Sequence, residues 1–235
     1  GIRIEEMAVI AEEQGIGPSE DFLLAAAEAK LPIVFQASLP EGVGLQGYLF
    51  PDTYEVLVGS TPAELVARML ENLTVRFSAE LRDAAAEQGL TPHEVITLAS
   101  IIEREAAVPE ERPLIAGVFF NRLAVNDLLG ADATVQYAVA EDPDSVREYG
   151  WWKSGNELTV EDLDIRSPYN TRLYGGFPPG PIANPGLASI EAVVHPEETR
   201  FYYYVADTIA GDGSHAFAVT FAEHEANIWR MKQAQ

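Results

Sequence analysis

One segment, TPHEVITLASIIEREAAVPEERPLIAGVFFNRL from Thr91 to Leu123, constrains this chain more than any other, because it sets acidic side chains against an apolar helical stripe. Thr91 and Glu94 stand at the spacing of a capping box, and Pro92 falls at the first helical position, where its missing N–H does no harm. A helix is predicted to start there. Val95, Leu98, Ala99, Ile102 and Ala106 recur at helical spacing and form one buried face. Glu105 borders that face beside Leu98, Glu103 lies on its opposite flank near Ala99, and Arg104 is predicted to point to water. Desolvation raises the pKa of a carboxylic acid, so either glutamate can act as a general acid near neutral pH. The competing reading is a solvated helix face on which the E-R-E run pairs with Arg104 or Arg112.

A chain of 235 residues can build a full core around such a helix, as one large domain or as one domain with a small module. Its formal net charge of −22, from 37 acidic and 15 basic residues, argues against tracking phosphates. Nucleic acid is therefore not an expected partner, and an uncharged or zwitterionic ligand fits better. The absence of cysteine excludes disulfides, thiolate metal sites and cysteine nucleophiles. No apolar run reaches the roughly 20 residues that span a bilayer, so any anchor is expected upstream of this segment.

Residues 1–30 predict two short helices, Glu5–Glu13 and Ser19–Lys30, separated by Gly15 and Gly17, with Ser19 as the cap of the second. GLQGYLFPDTYE, from Gly44 to Glu55, predicts a strand running into a turn at Pro51-Asp52. Further helices are expected from Thr61, with Pro62 at its first position, and over Ser78–Gln88, closed by Gly89. Leu114, Ile115, Val118, Phe119 and Leu123 mark another amphipathic helix behind Pro109 and Pro113. Asp132 is either a second carboxylate of the site or the N-cap of the helix that follows it. Trp151 and Trp152 either stack on a sugar or anchor a loop to the core. Ser167–Gly186 carries five prolines, a stiff wall from which Tyr169, Asn170, Thr171 and Asn184 can project polar groups; the same run also reads as a loop that covers the core. Beyond a short helix at Ser189–Val194, FYYYVAD and GDGSHAFAV predict a hairpin, and a last helix runs from about Thr220 to Lys232.

His93, His195, His215 and His224 show no paired metal-ligand spacing, so neither a metal nor a cofactor is expected. Serine-elbow, Walker and dinucleotide glycine motifs are also missing. What remains is carboxylate acid–base chemistry in a carbohydrate-binding groove.

LQGYLFPDTYE, LASIIEREAAVPEER, VFFNRL, DATVQY, SPYNTR, GFPPGPIANPG, HP, YYVAD and HAF follow one another in this chain. In that order they resemble the endolytic murein transglycosylases, the YceG-like or MltG family, from about Leu45 to Phe217. The resemblance implies an α+β fold: a mixed helical and small-sheet catalytic domain with a lysozyme-like glutamate helix over residues 36–235, preceded by the end of a LysM-like module over residues 1–35. It implies a membrane-anchored lyase on the extracytoplasmic face that cuts nascent peptidoglycan glycan strands internally and leaves 1,6-anhydro ends, near cell-wall synthases. It also implies a catalytic glutamate in the E-x-E segment, assigned to Glu105 because a small residue, Ala106, follows it; Glu103 is the alternative. Glu103, Asp132, Gln136, Tyr169, Asn170, Thr171 and Asn184 are the expected substrate contacts. The family commonly has Thr-Asp-Pro at Ala131-Asp132-Ala133 and Asn-Thr-Tyr at Asn170-Thr171-Arg172. The rival readings are a hydrolase using Glu105 with Asp132, and a non-catalytic glycan-binding scaffold.

Overall fold

The computed structural model describes residues 1–234; Gln235, the last residue of the region 36–235, lies outside them. Helices α1 (Ile4–Glu13) and α2 (Ser19–Glu28) open the chain as expected, with one correction. Ser19 is not the cap of α2: Pro18 holds that position, and the Ser19 hydroxyl and N–H both donate to Glu12 across the intervening turn. The carboxylate takes the serine that would otherwise have closed the helix end. A short α3 (Ile33–Gln36) follows.

The segment from Gly44 to Glu55 forms no strand. Its backbone finds a side chain instead of a ladder, since the N–H groups of Gly47 and Leu49 both donate to Asn184 Oδ1 at 3.0 Å. Gly47 has φ +90°, and a Cβ there would lie 2.4 Å from Pro181, so the chain turns under the proline-rich wall at a point only glycine can occupy. Aromatic content alone does not make a strand when the amide partners are elsewhere.

Helices α4 (Pro62–Arg76) and α6 (Pro92–Glu105) both start with a proline inside a threonine–glutamate capping box, Thr61 with Glu64 and Thr91 with Glu94. Between them, Ser78 caps α5 (Ala79–Glu87), and Gly89 leaves it at φ +77°. The stripe predicted for α6 is buried, but so are Ile96, Thr97, Ser100 and Ile101, so the helix is enclosed on nearly every side until its last turn. Burying each such Leu or Ile contributes about 1.5–3 kcal/mol. At the start of the helix, His93 donates from Nε2 to the Pro179 carbonyl, 2.9 Å away, and accepts at Nδ1 from the Tyr48 hydroxyl at 2.8 Å. A carbonyl can only accept, which fixes the tautomer.

A 3-10 turn (Pro109–Glu111) leads into α7 (Arg112–Ala124), and α8 (Asp132–Val139), α9 (Pro143–Tyr149) and α10 (Val160–Leu163) follow. The proline-rich run then feeds α11 (Leu187–Val194), which packs on α5, α6 and α7. Strands β1 (Tyr203–Ala206) and β2 (His215–Ala218) pair antiparallel, Tyr204 opposite Phe217 and Ala206 opposite His215, and α12 (Phe221–Gln233) closes the chain against them. The class is mixed helical with a two-stranded sheet.

Residues 1–35 share their core with the rest: Met7, Phe22, Leu31 and Phe35 belong to the same apolar cluster as Leu98, Ile102 and Ile190. Arg104 does not point to water. Its Nη1 donates to the Gly1 carbonyl at 3.0 Å, and its guanidinium lies 3.9 Å from the centre of the Trp152 ring. Arg3 sits in the same manner between Tyr137 and Trp151, at 4.3 and 4.7 Å. Trp152 also donates from Nε1 to Glu6. Both tryptophans thus serve as platforms for the protein's own cations and fasten the first helix to the core.

Candidate active site

Glu105 is the last residue of α6, and Ala106 leaves the helix in extended conformation, so the buried rod ends where a cleft begins. The cleft has a volume of about 770 Å³ and includes Glu105, Asp132, Arg122, Arg172, Tyr204 and His215 in its walls. Two donors hold the Glu105 carboxyl. The Ala133 N–H, one of the amides at the start of α8 that lack a helical partner, donates to Oε1 at 3.2 Å, and the Tyr204 hydroxyl of β1 donates to Oε2 at 3.1 Å.

Burial raises the Glu105 pKa above the ordinary glutamate value, and the negative charge of Asp132 adds to the rise. The Ala133 N–H, the Tyr204 hydroxyl and His215 oppose it without cancelling it. Burial, with Glu105 alongside, also lifts the Tyr204 hydroxyl well above its usual range, so Tyr204 remains a donor. The result is an acid that keeps its proton longer than a free glutamate and is steadied at both oxygens.

Glu103 stands in the opposite electrostatic state. Burial pushes its pKa up, but the Ser189 hydroxyl, the Gly1 amino group, Arg112 and the Gly186 N–H together hold it below the ordinary value. It is a committed carboxylate engaged inside the protein, and it does not line the cleft. The pairing with Arg112 raised from the E-R-E pattern is therefore met at Glu103, at 4.0 Å, while Glu105 has the apolar setting.

Asp132 does line the cleft, half exposed, and pairs with Arg172 at 2.7 Å. Ala131 occupies the N-cap position of α8, so Asp132 is the first helical residue and not the cap. Arg172, which stands where the resemblance leads one to expect tyrosine, is thus in direct contact with Asp132, the residue of its triplet that fits the pattern. The other expected contacts are turned inward. Asn170 is fully buried, donating from Nδ2 to the carbonyls of Leu163 and Ile165 and accepting the Arg172 N–H. Thr171 Oγ1 accepts the Ala131 N–H and pairs with the Thr134 hydroxyl. Asn184 joins Ile2 to the 47–49 backbone, and Gln136 donates to the Lys153 carbonyl. Tyr169 packs 4.7 Å from Tyr137. None of these side chains lines the cleft.

Four residues of the site escaped the sequence reading: Tyr204, His215, Glu111 and Arg122. Arg122 reaches across from α7 to the carbonyls of Tyr202, Leu128 and Leu129 and so ties the hairpin to the loop before α8. The strand alternation of FYYYVAD marked a hairpin but not which tyrosine faces inward. Only the register, with Phe217 opposite Tyr204, settles that.

The chain matches the family model described as the YceG-like family over residues 1–230. It is 36% identical over 180 residues to the endolytic murein transglycosylase of Bacillus subtilis, covering 77% of this chain and 46% of that protein. With the endolytic murein transglycosylase of Streptococcus pneumoniae (strain R6) it shares 31% identity over 217 residues, 89% of this chain and 37% of the relative. It thus spans less than half the length of these curated relatives. A crystal structure of a YceG-like protein from Listeria monocytogenes superposes with a TM-score of 0.77 at 31% identity, over 95% of this chain and 72% of the other. A match over nearly the whole length, with the same fold in a solved structure, makes this chain a member of the YceG-like family.

Proposed function

We propose that this chain is the catalytic part of an endolytic murein transglycosylase, a lyase that cuts the β-1,4 bond between N-acetylmuramic acid and N-acetylglucosamine inside a peptidoglycan strand. The observation that carries this reading is the setting of Glu105: a carboxyl of raised pKa at the wall of a cleft, steadied by an amide and a phenol. Protonated Glu105 gives its proton to the glycosidic oxygen as the bond to the muramic C1 breaks. The carboxylate left behind takes the proton from that sugar's own 6-hydroxyl while its oxygen bonds to C1, which closes the 1,6-anhydro ring. Glu105 ends protonated, and no water is consumed. General acid–base help of this kind is worth roughly 10²–10⁴ in rate, and binding a distorted, oxocarbenium-like sugar supplies the rest. The substrate's acetamido group can take the part of a second carboxylate.

The rival hydrolase would use Asp132 as base or nucleophile, but Asp132 is paired with Arg172. The relatives' names also favour transglycosylation. In the wider assignment, residues 1–35 are the end of a LysM-like module and α6 plays the part of the glutamate helix of lysozyme-like enzymes. The protein works on the extracytoplasmic face of the bacterial membrane, near cell-wall synthases, held by an anchor in sequence outside these residues. Among the described residues no helix is long and apolar enough to cross a membrane.

The test is digestion of purified glycan strands with product masses read out. The wild type should release fragments one water lighter than hydrolysis products, and Glu105→Gln should lose about 10²-fold or more of the rate while keeping its fold. Reducing-end products would establish the hydrolase, and an active Glu105→Gln would overturn Glu105 as the acid.

A further inference from the structure

The acid–base scheme leaves one polar assembly of the cleft unused. His215, on β2, is clamped at two points by Glu111 of the 3-10 turn: its backbone N–H donates to Oε1 at 2.9 Å, and its ring Nδ1 lies 2.6 Å from Oε2. Both atoms are largely enclosed, the side chains being 8% and 15% exposed. The imidazole also meets the Tyr204 ring edge-on, with centroids 5.3 Å apart, and Tyr204 is the residue that donates to Glu105. A histidine needed only to fill space between a strand and a turn would not require a carboxylate gripping both its backbone and its ring.

The clamp fixes the proton. A carboxylate oxygen that accepts from Nδ1–H places the hydrogen on that nitrogen, and in the neutral ring Nε2 is then an acceptor. Among the described residues Nε2 has no hydrogen-bond partner, and it is not among the polar side-chain atoms closed off from solvent. His215 lines the same cleft as Glu105. An enclosed ring of fixed tautomer in the wall of a cleft, with a second nitrogen that has no partner among the described residues, is suited to receiving a donor group from a ligand.

We propose that His215 is a substrate-contacting residue whose Nε2 accepts a hydrogen bond from a sugar hydroxyl or acetamido N–H beside the bond being cut, and that Glu111 is the positioning residue that fixes its tautomer. This rests on the glycan-cleaving reading of the cleft. The contact adds a polar anchor on the hairpin side of the cleft, in the same wall as Tyr204 and Glu105. Without it the sugar can tilt away from the acid.

The experiment uses the Glu105→Gln protein, in which the ligand stays intact, and a peptide-free oligomer of alternating N-acetylglucosamine and N-acetylmuramic acid. Calorimetry should show binding that weakens roughly 3- to 10-fold when His215→Phe is added, the loss expected for one hydrogen bond. The ¹⁵N resonance of His215 Nε2 should move when the oligomer is added, which a purely structural histidine would not show. Glu111→Gln should shift the free protein's imidazole ¹⁵N pattern toward a mixture of tautomers. Equal binding with and without His215, or an Nε2 resonance indifferent to the oligomer, overturns the inference and leaves the glycan reading intact. Absence of any oligomer binding to the Glu105→Gln protein overturns the glycan reading, and this inference with it.

Discussion

Replacing Asn184 by alanine separates two roles that the sequence could not tell apart. As a sugar contact, Asn184 would matter for substrate affinity; as an internal staple, it matters for stability. The structure gives it three hydrogen bonds at 3.0 Å each: it accepts from the N–H groups of Gly47 and Leu49 and donates to the Ile2 carbonyl. Asn184 is fully buried, so truncation leaves the amides of Gly47 and Leu49 without partners, while the Ile2 carbonyl keeps the backbone N–H of residue 184 at 2.9 Å. Each of the two orphaned amides costs about 1–3 kcal/mol, so the substitution should remove about 2–6 kcal/mol of folding free energy. That is a large part of the roughly 5–15 kcal/mol that holds a domain together. Urea unfolding measures the loss, and the Michaelis constant on glycan strands, determined well below the unfolding midpoint, should stay within about twofold of wild type. A variant that unfolds like wild type but binds its substrate poorly would refute the reasoning and return Asn184 to the cleft.

Other consequences follow from the charges around the acid. Tyr204→Phe removes a bond that favours ionised Glu105, so the Glu105 pKa should rise further and the alkaline limb of the kcat/KM profile should move to higher pH. Asp132→Asn removes a negative charge that raises the same pKa, and the limb should move to lower pH; limbs that move together or not at all would contradict both. The two glutamates should also affect stability in opposite senses. Glu105 titrates higher in the folded protein than in the unfolded one, so the stability it contributes is complete in acid and lost as pH rises through its folded pKa. Glu105→Gln should therefore melt above wild type at neutral pH, with the difference vanishing below the ordinary glutamate range. Glu103 titrates lower when folded, so Glu103→Gln should melt below wild type at neutral pH and converge on it as pH falls through the folded Glu103 pKa.

Much of the fold is legible because its helices begin at local signals. The capping boxes at Thr61 and Thr91 and the prolines that follow them need no distant partner, and the helices start where those residues say. The E-x-E segment is legible as a candidate acid, but both of its glutamates border the apolar stripe, and only the cleft and the raised pKa single out Glu105. What the sequence concealed depends on long-range pairing. Gly44–Glu55 looks like a strand because nothing local reveals that Asn184, over 130 residues away, will take its amides. Asn170, Thr171 and Asn184 look like exposed polar groups on a proline-rich wall, yet unpaired backbone makes such a wall need internal acceptors and donors, and these side chains supply them. Arg104 was expected in water because its own helix gives no reason to turn it; Trp152 and the Gly1 carbonyl do. Tyr204 and His215 depend on strand register, and Glu111 on a turn that brings it to β2 from roughly a hundred residues away.

The attachment of the first six residues has a practical side. Gly1 and Ile2 meet Glu103, Arg104 and Asn184, Ile4 donates to the Gln46 side chain, and Glu6 holds Trp152. Anyone trimming the molecule to its smallest working portion would strip partners from two consecutive side chains immediately before the acid, and would free the tether of the proline-rich wall. A shortened version starting at residue 7 should be judged first by whether its cleft still has a shape.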